Sequence, residues 1–215
     1  MEKKKNDFIA QGSILAIASI LVRVMGMIYR IPMTAIIGDK GNGFYSYAYS
    51  VYTILLLLSS YSLPLAVSKM VSAKAQLGQW RNVKRVFICA IAFAIGIGTT
   101  FGLIVLIGAQ FFTRVFFHSE LAAIALRFMA PTILIMALLG VFRGFFQGLQ
   151  NTLPTAVSQI VEGLINAIMS VVFAYFLFDF GHGMDAAGGT TDLGYAWGAA
   201  GGAIGTGAGA LAGLI

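Results

Sequence analysis

The chain has 215 residues, of which 59% are hydrophobic and only 10% are charged. Soluble domains contain about 25% charged residues, so this composition excludes an ordinary soluble domain. The mean hydropathy of +0.87 indicates a chain that folds in a lipid bilayer. The net charge of +6 would suit nucleic-acid binding only if the basic residues shared one soluble face. They are instead spread along the chain, so we expect no nucleic-acid partner.

Six apolar stretches are each long enough to cross a membrane, which takes roughly 20 predominantly apolar residues. They are residues 8–37, 44–68, 86–112, 121–149, 154–178 and 194–215. The sequence therefore predicts an all-α, polytopic bundle of six transmembrane helices that forms one domain over residues 1–215. The first stretch is too long for one straight span, so we expect its start to tilt or to lie at the membrane interface.

The basic residues predict the orientation of these helices in the membrane. With a cytoplasmic N-terminus, the cytoplasmic side holds Lys3, Lys4, Lys5, Lys69, Lys74, Arg81, Lys84 and Arg85. The opposite side holds only Lys40 and Arg114. Cytoplasmic loops carry an excess of Lys and Arg, so a cytoplasmic N-terminus is predicted. The polar stretch 179–193 then becomes a flexible external loop.

Two arginines lie within the first apolar stretch. Arg23 and Arg30 are seven residues apart, which places them two turns and about 10 Å apart on nearly one face of a helix, with Gly26 between them. Charged residues in hydrocarbon are costly and mark functional sites. The pair predicts a cationic lining for a cavity that receives an anion such as phosphate. The alternative for Arg30 is that its side chain extends to the outer headgroups.

The fifth stretch carries a polar face around one carboxylate. Its residues are Thr155, Gln159, Glu162, Asn166 and Ser170, whose spacing puts them on one side of a helix. Glu162 could be a counter-charge for Arg23, a proton carrier or a cation ligand. Gln159 and Asn166 either line the same cavity or form hydrogen bonds between packed helices.

Arg143 and Gln147 lie one turn apart at the cytoplasmic end of the fourth stretch. They predict either a cytoplasmic gate, where an anion would enter, or simple anchoring to headgroups. Pro64 and Pro131 fall inside the second and fourth stretches, where each is expected to kink its helix.

Glycine recurs at every fourth position in the sixth stretch. One series is Gly201, Gly205, Gly209 and Gly213, and the other is Gly194, Gly198 and Gly202. Small residues at this spacing allow helices in membranes to approach closely, so both series predict helix packing rather than a binding site.

Motifs that would indicate catalysis, metal binding or cofactor binding are few. The two histidines, His118 and His182, lie in predicted outer loops, and the sequence contains no phosphate-binding loop and no dinucleotide motif. We therefore expect no metal site, no cofactor and no enzymatic activity.

Five segments together resemble a known family. They are residues 23–33, 43–47, 63–69, 143–148 and 154–162. They resemble the stage V sporulation protein B group of polysaccharide-biosynthesis flippases. This group is related to the lipid II flippase within the multidrug/oligosaccharidyl-lipid/polysaccharide exporter superfamily. The resemblance extends from about residue 8 to the end of the chain.

The resemblance implies two pseudo-symmetric helical lobes around a central cavity, of which this chain is the first lobe and lacks the second. Such a protein moves a polyprenyl-pyrophosphate-linked sugar from the inner to the outer leaflet by alternating access. The role of binding the pyrophosphate head falls on Arg23, with Arg30 as a further candidate. The implied location is the bacterial cytoplasmic membrane, with lipids, the lipid-linked sugar and possible cell-wall synthesis proteins as partners. Coupling to H⁺ or Na⁺ stays open.

The chain also departs from the family at two positions. The family usually places an arginine four residues after its glutamate in the fifth helix, where this chain has Asn166. The partner of Glu162 is therefore open. Ser62 stands where the group usually has glycine.

Two alternatives to a flippase remain at this stage. One is a drug or cation antiporter of the same superfamily, which a cavity built around arginine disfavours because like charges repel in a medium of low dielectric constant. The other is a membrane scaffold without transport activity that serves cell-wall or spore-cortex synthesis.

Overall fold

The fold is a bundle of helices. The structure, a computed structural model, describes residues 2–188 and 192–215, with side chains for residues 12–186 and 192–215. These residues form six helices and no strand: α1 (Glu2–Ser59), α2 (Leu63–Gln76), α3 (Trp80–Phe117), α4 (Ala122–Gly148), α5 (Leu153–Gly188) and α6 (Leu193–Leu214). The predicted all-α class is confirmed.

Helix α1 contains two helical segments that meet at Gly38. This glycine has φ 63° and ψ −176°, a backbone conformation that residues with a Cβ rarely adopt. Met33 and Tyr45 would be about 18 Å apart along a straight helix, yet both contact Gly202 of α6. The chain therefore turns back on itself at Gly38, between the first two predicted stretches.

The predicted count of six membrane spans is not confirmed. By length and hydropathy, four stretches of the described residues could cross a membrane: Gly12–Gln76, Trp80–Phe117, Ala122–Gly148 and Leu153–Ala186. The first of them includes two predicted spans, because it contains both helical segments of α1, the break at residues 60–62 and α2. Helix α6, rich in glycine and alanine, is not among the four. The structure therefore supports a multi-pass membrane protein.

The prolines occupy different positions relative to helix breaks. Pro64 lies in the first turn of α2, directly after the non-helical residues 60–62 that separate α2 from α1. Proline is tolerated there because the first turn has no intrahelical partners for its backbone nitrogen. Pro131 lies inside α4, which has no break, and Pro32 lies inside α1.

Helix α6 packs directly on α5 through the first glycine series. A Cβ at Gly205 would collide with the backbone of Ser170, and one at Gly209 would lie 2.6 Å from the carbonyl oxygen of Glu162. In the second series, Gly198 faces Ile37 and Phe178. The prediction that these glycines are packing residues is confirmed.

A third glycine series, in α4, was not predicted. Gly140, Gly144 and Gly148 lie against α2, and a Cβ at Gly144 would lie 2.8 Å from the Cα of Pro64. The same spacing of four residues that predicted packing in α6 was present here and would have identified this contact.

The predicted flexible loop at 179–193 is wrong, because α5 continues through Gly188. Asp185 accepts hydrogen bonds from the backbone N–H groups of Leu193 (3.0 Å) and Gly194 (2.9 Å), so a carboxylate on α5 caps the start of α6. Lys40 binds Asp192 at 2.9 Å and connects the Gly38 turn to the same end of the bundle. Residues 189–191 of the predicted loop, and the side chains of Lys3, Lys4 and Lys5, lie outside the described residues.

We predict that Gly205→Ala destabilises the protein, because the new methyl group collides with the α5 backbone, which cannot move aside without separating the helices. Overpacking of this kind typically costs about 1–3 kcal/mol. The matched control is Gly96→Ala in α3, where a Cβ meets nothing within 4 Å. Alanine favours a helix over glycine by roughly 1 kcal/mol, so this control should not lower stability. Thermal unfolding in detergent measures both variants, and equal stability of the two would contradict the packing role.

Candidate functional site

A cavity with a mixed polar and apolar lining lies where the break between α1 and α2 faces α4 and α5. We call it the α2–α4 cavity. Its volume is about 370 Å³, within the roughly 300–1,000 Å³ range of small-molecule sites. Its polar lining consists of Ser60, Tyr61, Arg143, Gln147 and Gln159, and its apolar lining of Leu56, Pro64, Leu65, Met136, Leu139 and Gly140. It therefore brings together three predicted site residues, Arg143, Gln147 and Gln159.

Local sequence explains how these side chains meet. The break at residues 60–62 places Ser60 and Tyr61 outside regular helix at the edge of the cavity. Gly144 allows α2 to approach the α4 backbone closely at Pro64. Arg143 and Gln147 are one turn apart on α4 and therefore share the face that borders the cavity.

Arg143 is held by α5 through a charged pair and a hydroxyl group. Its Nη2 lies 2.6 Å from Oε2 of Glu162, and the two side chains are only 14% and 24% exposed. Nε and Nη2 also donate to Oγ of Ser158, at 3.2 and 2.9 Å. The guanidinium thus makes charge-assisted hydrogen bonds inside the bundle.

Ser158 extends this arrangement to a third helix. Its hydroxyl donates to the backbone carbonyl oxygen of Gly213 at 2.6 Å. A Cβ at Gly213 would lie 3.1 Å from the Cβ of Glu162, so the absence of a side chain there allows α6 to reach the pair. Arg143, Ser158, Glu162 and Gly213 form what we call the three-helix cluster, which joins α4, α5 and α6.

The structure resolves the partner of Glu162, which the sequence left open. Glu162 pairs with Arg143, whereas Arg23 makes no ion pair among the described side chains. The connection between α4 and α5 is short, and the chain reverses direction across it. Arg143, near the end of α4, and Glu162, near the start of α5, therefore lie side by side close to that connection. A short helix–helix connection is the sequence signal that could have suggested this pair.

Arg23 and Arg30 lie elsewhere, on the exposed side of α1. Neither lines the α2–α4 cavity. Gln159 accepts a hydrogen bond of 3.4 Å from Ser19, and Ser19 lies one turn before Arg23 on the same side of α1. Arg23 therefore lies about one helical turn from the residue that contacts Gln159, and Arg30 lies about two turns further along α1.

Asn166 lies on the side of α5 that faces α6 rather than in the cavity. It accepts a hydrogen bond of 2.9 Å from Ser170 and would touch a Cβ at Gly209. Ser170, which is fully buried, lies 3.2 Å from the carbonyl oxygen of Gly202. The contact of Ser170 with Gly202 lies between α5 and α6, as expected for hydrogen bonds between packed helices, one of the two alternatives for the polar face.

Within the described residues, no group of three or more His, Cys, Asp or Glu side chains comes together that could hold a metal ion. The chemistry of the site therefore rests on hydrogen-bond donors, a guanidinium and one paired carboxylate.

The fold and the site define a multi-pass helical membrane protein with a partly polar, open cavity between its helices. Residues 8–212 match the family described as "Polysaccharide biosynthesis protein". The chain belongs to this family.

Three curated proteins of Bacillus subtilis (strain 168) are similar to the chain. "Lipid II flippase MurJ" is 27% identical over 163 residues, which cover 72% of this chain and 30% of that protein. "Stage V sporulation protein B" is 26% identical over 184 residues, covering 86% and 36%. "Uncharacterized membrane protein YabM" is 26% identical over 185 residues, covering 86% and 34%. The chain thus spans about a third of the length of these relatives. No solved structure matches it at a significant level.

We predict that Glu162→Gln destabilises the protein by about 1–3 kcal/mol, because it leaves the largely buried guanidinium of Arg143 without its charged partner. The matched control is Glu120→Gln, which breaks an exposed pair with Arg114 at 3.6 Å and should change stability by less than about 1 kcal/mol. Thermal unfolding in detergent gives both values. If the two substitutions have the same small effect, the three-helix cluster does not stabilise the bundle.

Proposed function

We propose that the protein is a flippase that moves a polyprenyl-pyrophosphate-linked oligosaccharide or cell-wall precursor from the inner to the outer leaflet by alternating access. Membership of the polysaccharide biosynthesis family supports this proposal. The names of two relatives, a lipid II flippase and a stage V sporulation protein, point to the same class of substrate. Flipping is transport rather than bond chemistry, so the protein is not an enzyme under this proposal.

The observation that carries the proposal is the exposure of Arg23 and Arg30 on a membrane helix. Both lie on the outer surface of α1, next to exposed apolar residues such as Met27 and Ile28. Charges facing lipid tails are costly, so this face requires water or an anionic group against it. A diphosphate suits a guanidinium because both can form two parallel hydrogen bonds. Under this proposal, Arg23 and Arg30 bind the pyrophosphate head on the exposed face of α1.

The proposed topology has six crossings and a cytoplasmic N-terminus in the bacterial plasma membrane. The turn at Gly38 divides α1 into two crossings, and the second of these continues through α2. Helices α3 to α6 supply the other four. Lys69, Lys74, Arg81, Lys84 and Arg85 then share the cytoplasmic side with the N-terminus, as the distribution of basic residues requires. The bundle corresponds to one lobe of a two-lobed exporter.

Arg143 and Gln147 then lie towards the cytoplasmic ends of their crossings and border the α2–α4 cavity. They form a gate through which the head of the lipid enters, while the lipid tail stays in the bilayer. Energy comes from the membrane potential or from an H⁺ or Na⁺ gradient. Proteins of cell-wall synthesis are the partners that would supply and consume such a lipid.

We predict that Arg23→Ala abolishes flipping while leaving insertion intact, because an exposed side chain contributes little to packing. The assay uses the full-length protein in proteoliposomes. It measures how much polyprenyl-pyrophosphate-linked sugar becomes accessible on the opposite leaflet. The matched control is Arg127→Ala, an exposed arginine on α4 outside the proposed site, which should retain transport.

Each other outcome points to a specific alternative. Flipping by Arg23→Ala at the rate of the unmodified protein would contradict the role of the arginine face. Export of a cationic drug, with no lipid transfer, would favour an antiporter. Absence of both lipid transfer and drug export in the unmodified protein, combined with failure of assembly in Gly205→Leu, would favour a scaffold without transport activity.

A further inference from the structure

We propose that the start of α3 binds the headgroups of anionic phospholipids in the adjoining leaflet. The binding surface, which we call the basic patch, consists of Trp80, Arg81, Lys84 and Arg85. Three unpaired cations beside an exposed tryptophan, at the point where a lipid-facing side of a helix ends, carry this inference. It goes beyond the proposed transport function, because it concerns the lipids that surround the protein rather than the lipid that it moves.

The positive charge of the basic patch is not offset by acidic residues. Its three cations are exposed, and none of them forms an ion pair among the described side chains. The sequence contains no Asp or Glu in residues 41–119, so neither α2 nor α3 supplies a carboxylate. At the opposite end of the bundle, by contrast, Lys40 pairs with Asp192 and Arg114 pairs with Glu120. The basic patch therefore keeps its charge for a partner from outside the described chain.

The position of these cations on α3 is electrostatically unfavourable without such a partner. They occupy the first two turns of α3, where the helix dipole is positive, and the first turn holds no acidic residue. Arg81 and Arg85 are four residues apart, a spacing at which like charges repel on a helix. Lys74 has the opposite setting, because it lies in the last turn of α2, where the dipole is negative. Lys74 thus stabilises its own helix, whereas anions next to the basic patch would offset its repulsion.

The side of α3 that carries the basic patch faces lipid. Lys84 is followed at helical spacing by Ile88 and Ile95, which are exposed apolar residues on the same side. Val83 lies on a different side and is buried in the bundle. In a membrane protein, an exposed apolar side of a helix lies against lipid tails. The end of this side, at the cations, therefore lies at the level of the headgroups.

Trp80 and Leu77 fix this depth. The side chain of Trp80 is 63% exposed and that of Leu77 is also exposed, at the short connection between α2 and α3. Tryptophan is enriched where lipid tails meet headgroups. A soluble acidic partner would leave much of this apolar surface in water, whereas a bilayer covers it. The distribution of basic residues along the chain predicts the side of the membrane, and this geometry adds the class of lipid that the side chains contact.

The test is quenching of tryptophan fluorescence by brominated lipids, with the full-length protein in nanodiscs. The nanodiscs contain phosphatidylglycerol and phosphatidylcholine, with bromine on the tails of one lipid or the other. The contribution of Trp80 is the quenching that Trp80→Phe removes, so Trp197 and any other tryptophan cancel. We expect phosphatidylglycerol to bind next to Trp80 about tenfold more tightly than phosphatidylcholine, the combined effect of two or three cations after screening by salt.

Variants separate the effect of charge from an effect on structure. Lys84→Gln combined with Arg85→Gln should lower the preference to about twofold. Arg81→Lys combined with Arg85→Lys keeps both charges and should retain the preference. The matched control is Arg114→Gln combined with Arg127→Gln, which removes two exposed cations near the other end of the bundle and should also retain it. Thermal unfolding in detergent verifies that all these variants are folded.

Three results would overturn the proposal. The first is equal quenching of Trp80 by both lipids in the unmodified protein. The second is a preference that Lys84→Gln combined with Arg85→Gln leaves unchanged. The third is a preference that stays constant between about 0.05 M and about 0.5 M NaCl, because salt weakens contacts between exposed charges.

An acidic protein partner is distinguished by a further titration. Poly-L-glutamate is added to the protein in nanodiscs of phosphatidylcholine alone. Binding that Lys84→Gln combined with Arg85→Gln abolishes, together with no lipid preference at Trp80, would assign the basic patch to an acidic polypeptide and overturn the proposal.

Discussion

The ion pair between Arg143 and Glu162 is the interaction on which the interior of the bundle depends. In a membrane, an arginine and a glutamate inside a helix bundle are tolerated only when each meets an opposite charge or another strong polar partner. Here the two charges lie 2.6 Å apart, and Ser158 satisfies further N–H groups of the same guanidinium. Removal of either charge would leave the other buried without a partner, so the arrangement constrains α4 and α5 to one relative position.

Glycine makes this arrangement possible because it allows backbones to approach. Gly213 gives α6 access to Ser158, and Gly205 and Gly209 hold the rest of α6 against α5. Gly144 does the same between α4 and α2, so the wall of the α2–α4 cavity is also fixed by a close contact. Without a hydrophobic driving force between helices in lipid, such close packing and the hydrogen bonds it permits hold the bundle together.

The arginines in the membrane-spanning helices thus occur in two different arrangements. Arg143 is paired with Glu162 within the described chain and borders the α2–α4 cavity. Arg23 and Arg30 have no acidic partner among the described side chains and lie on the exposed side of α1. The first arrangement stabilises a fold and orients a side chain, while the second leaves binding capacity for a group from outside.

The sequence by itself determined the all-α class, the membrane environment and the packing role of the glycines in α6, because these follow from composition and from spacing along one helix. It also identified the residue types of the site, since a charge in an apolar stretch is conspicuous. Only the tertiary structure decided that Glu162 pairs with Arg143, that Gln159 borders the cavity while Asn166 faces α6, and that α5 extends through most of the predicted loop. These facts depend on which faces of different helices meet, and on a carboxylate, Asp185, that caps a helix later in the chain. Periodicity within a single helix carries no information about either.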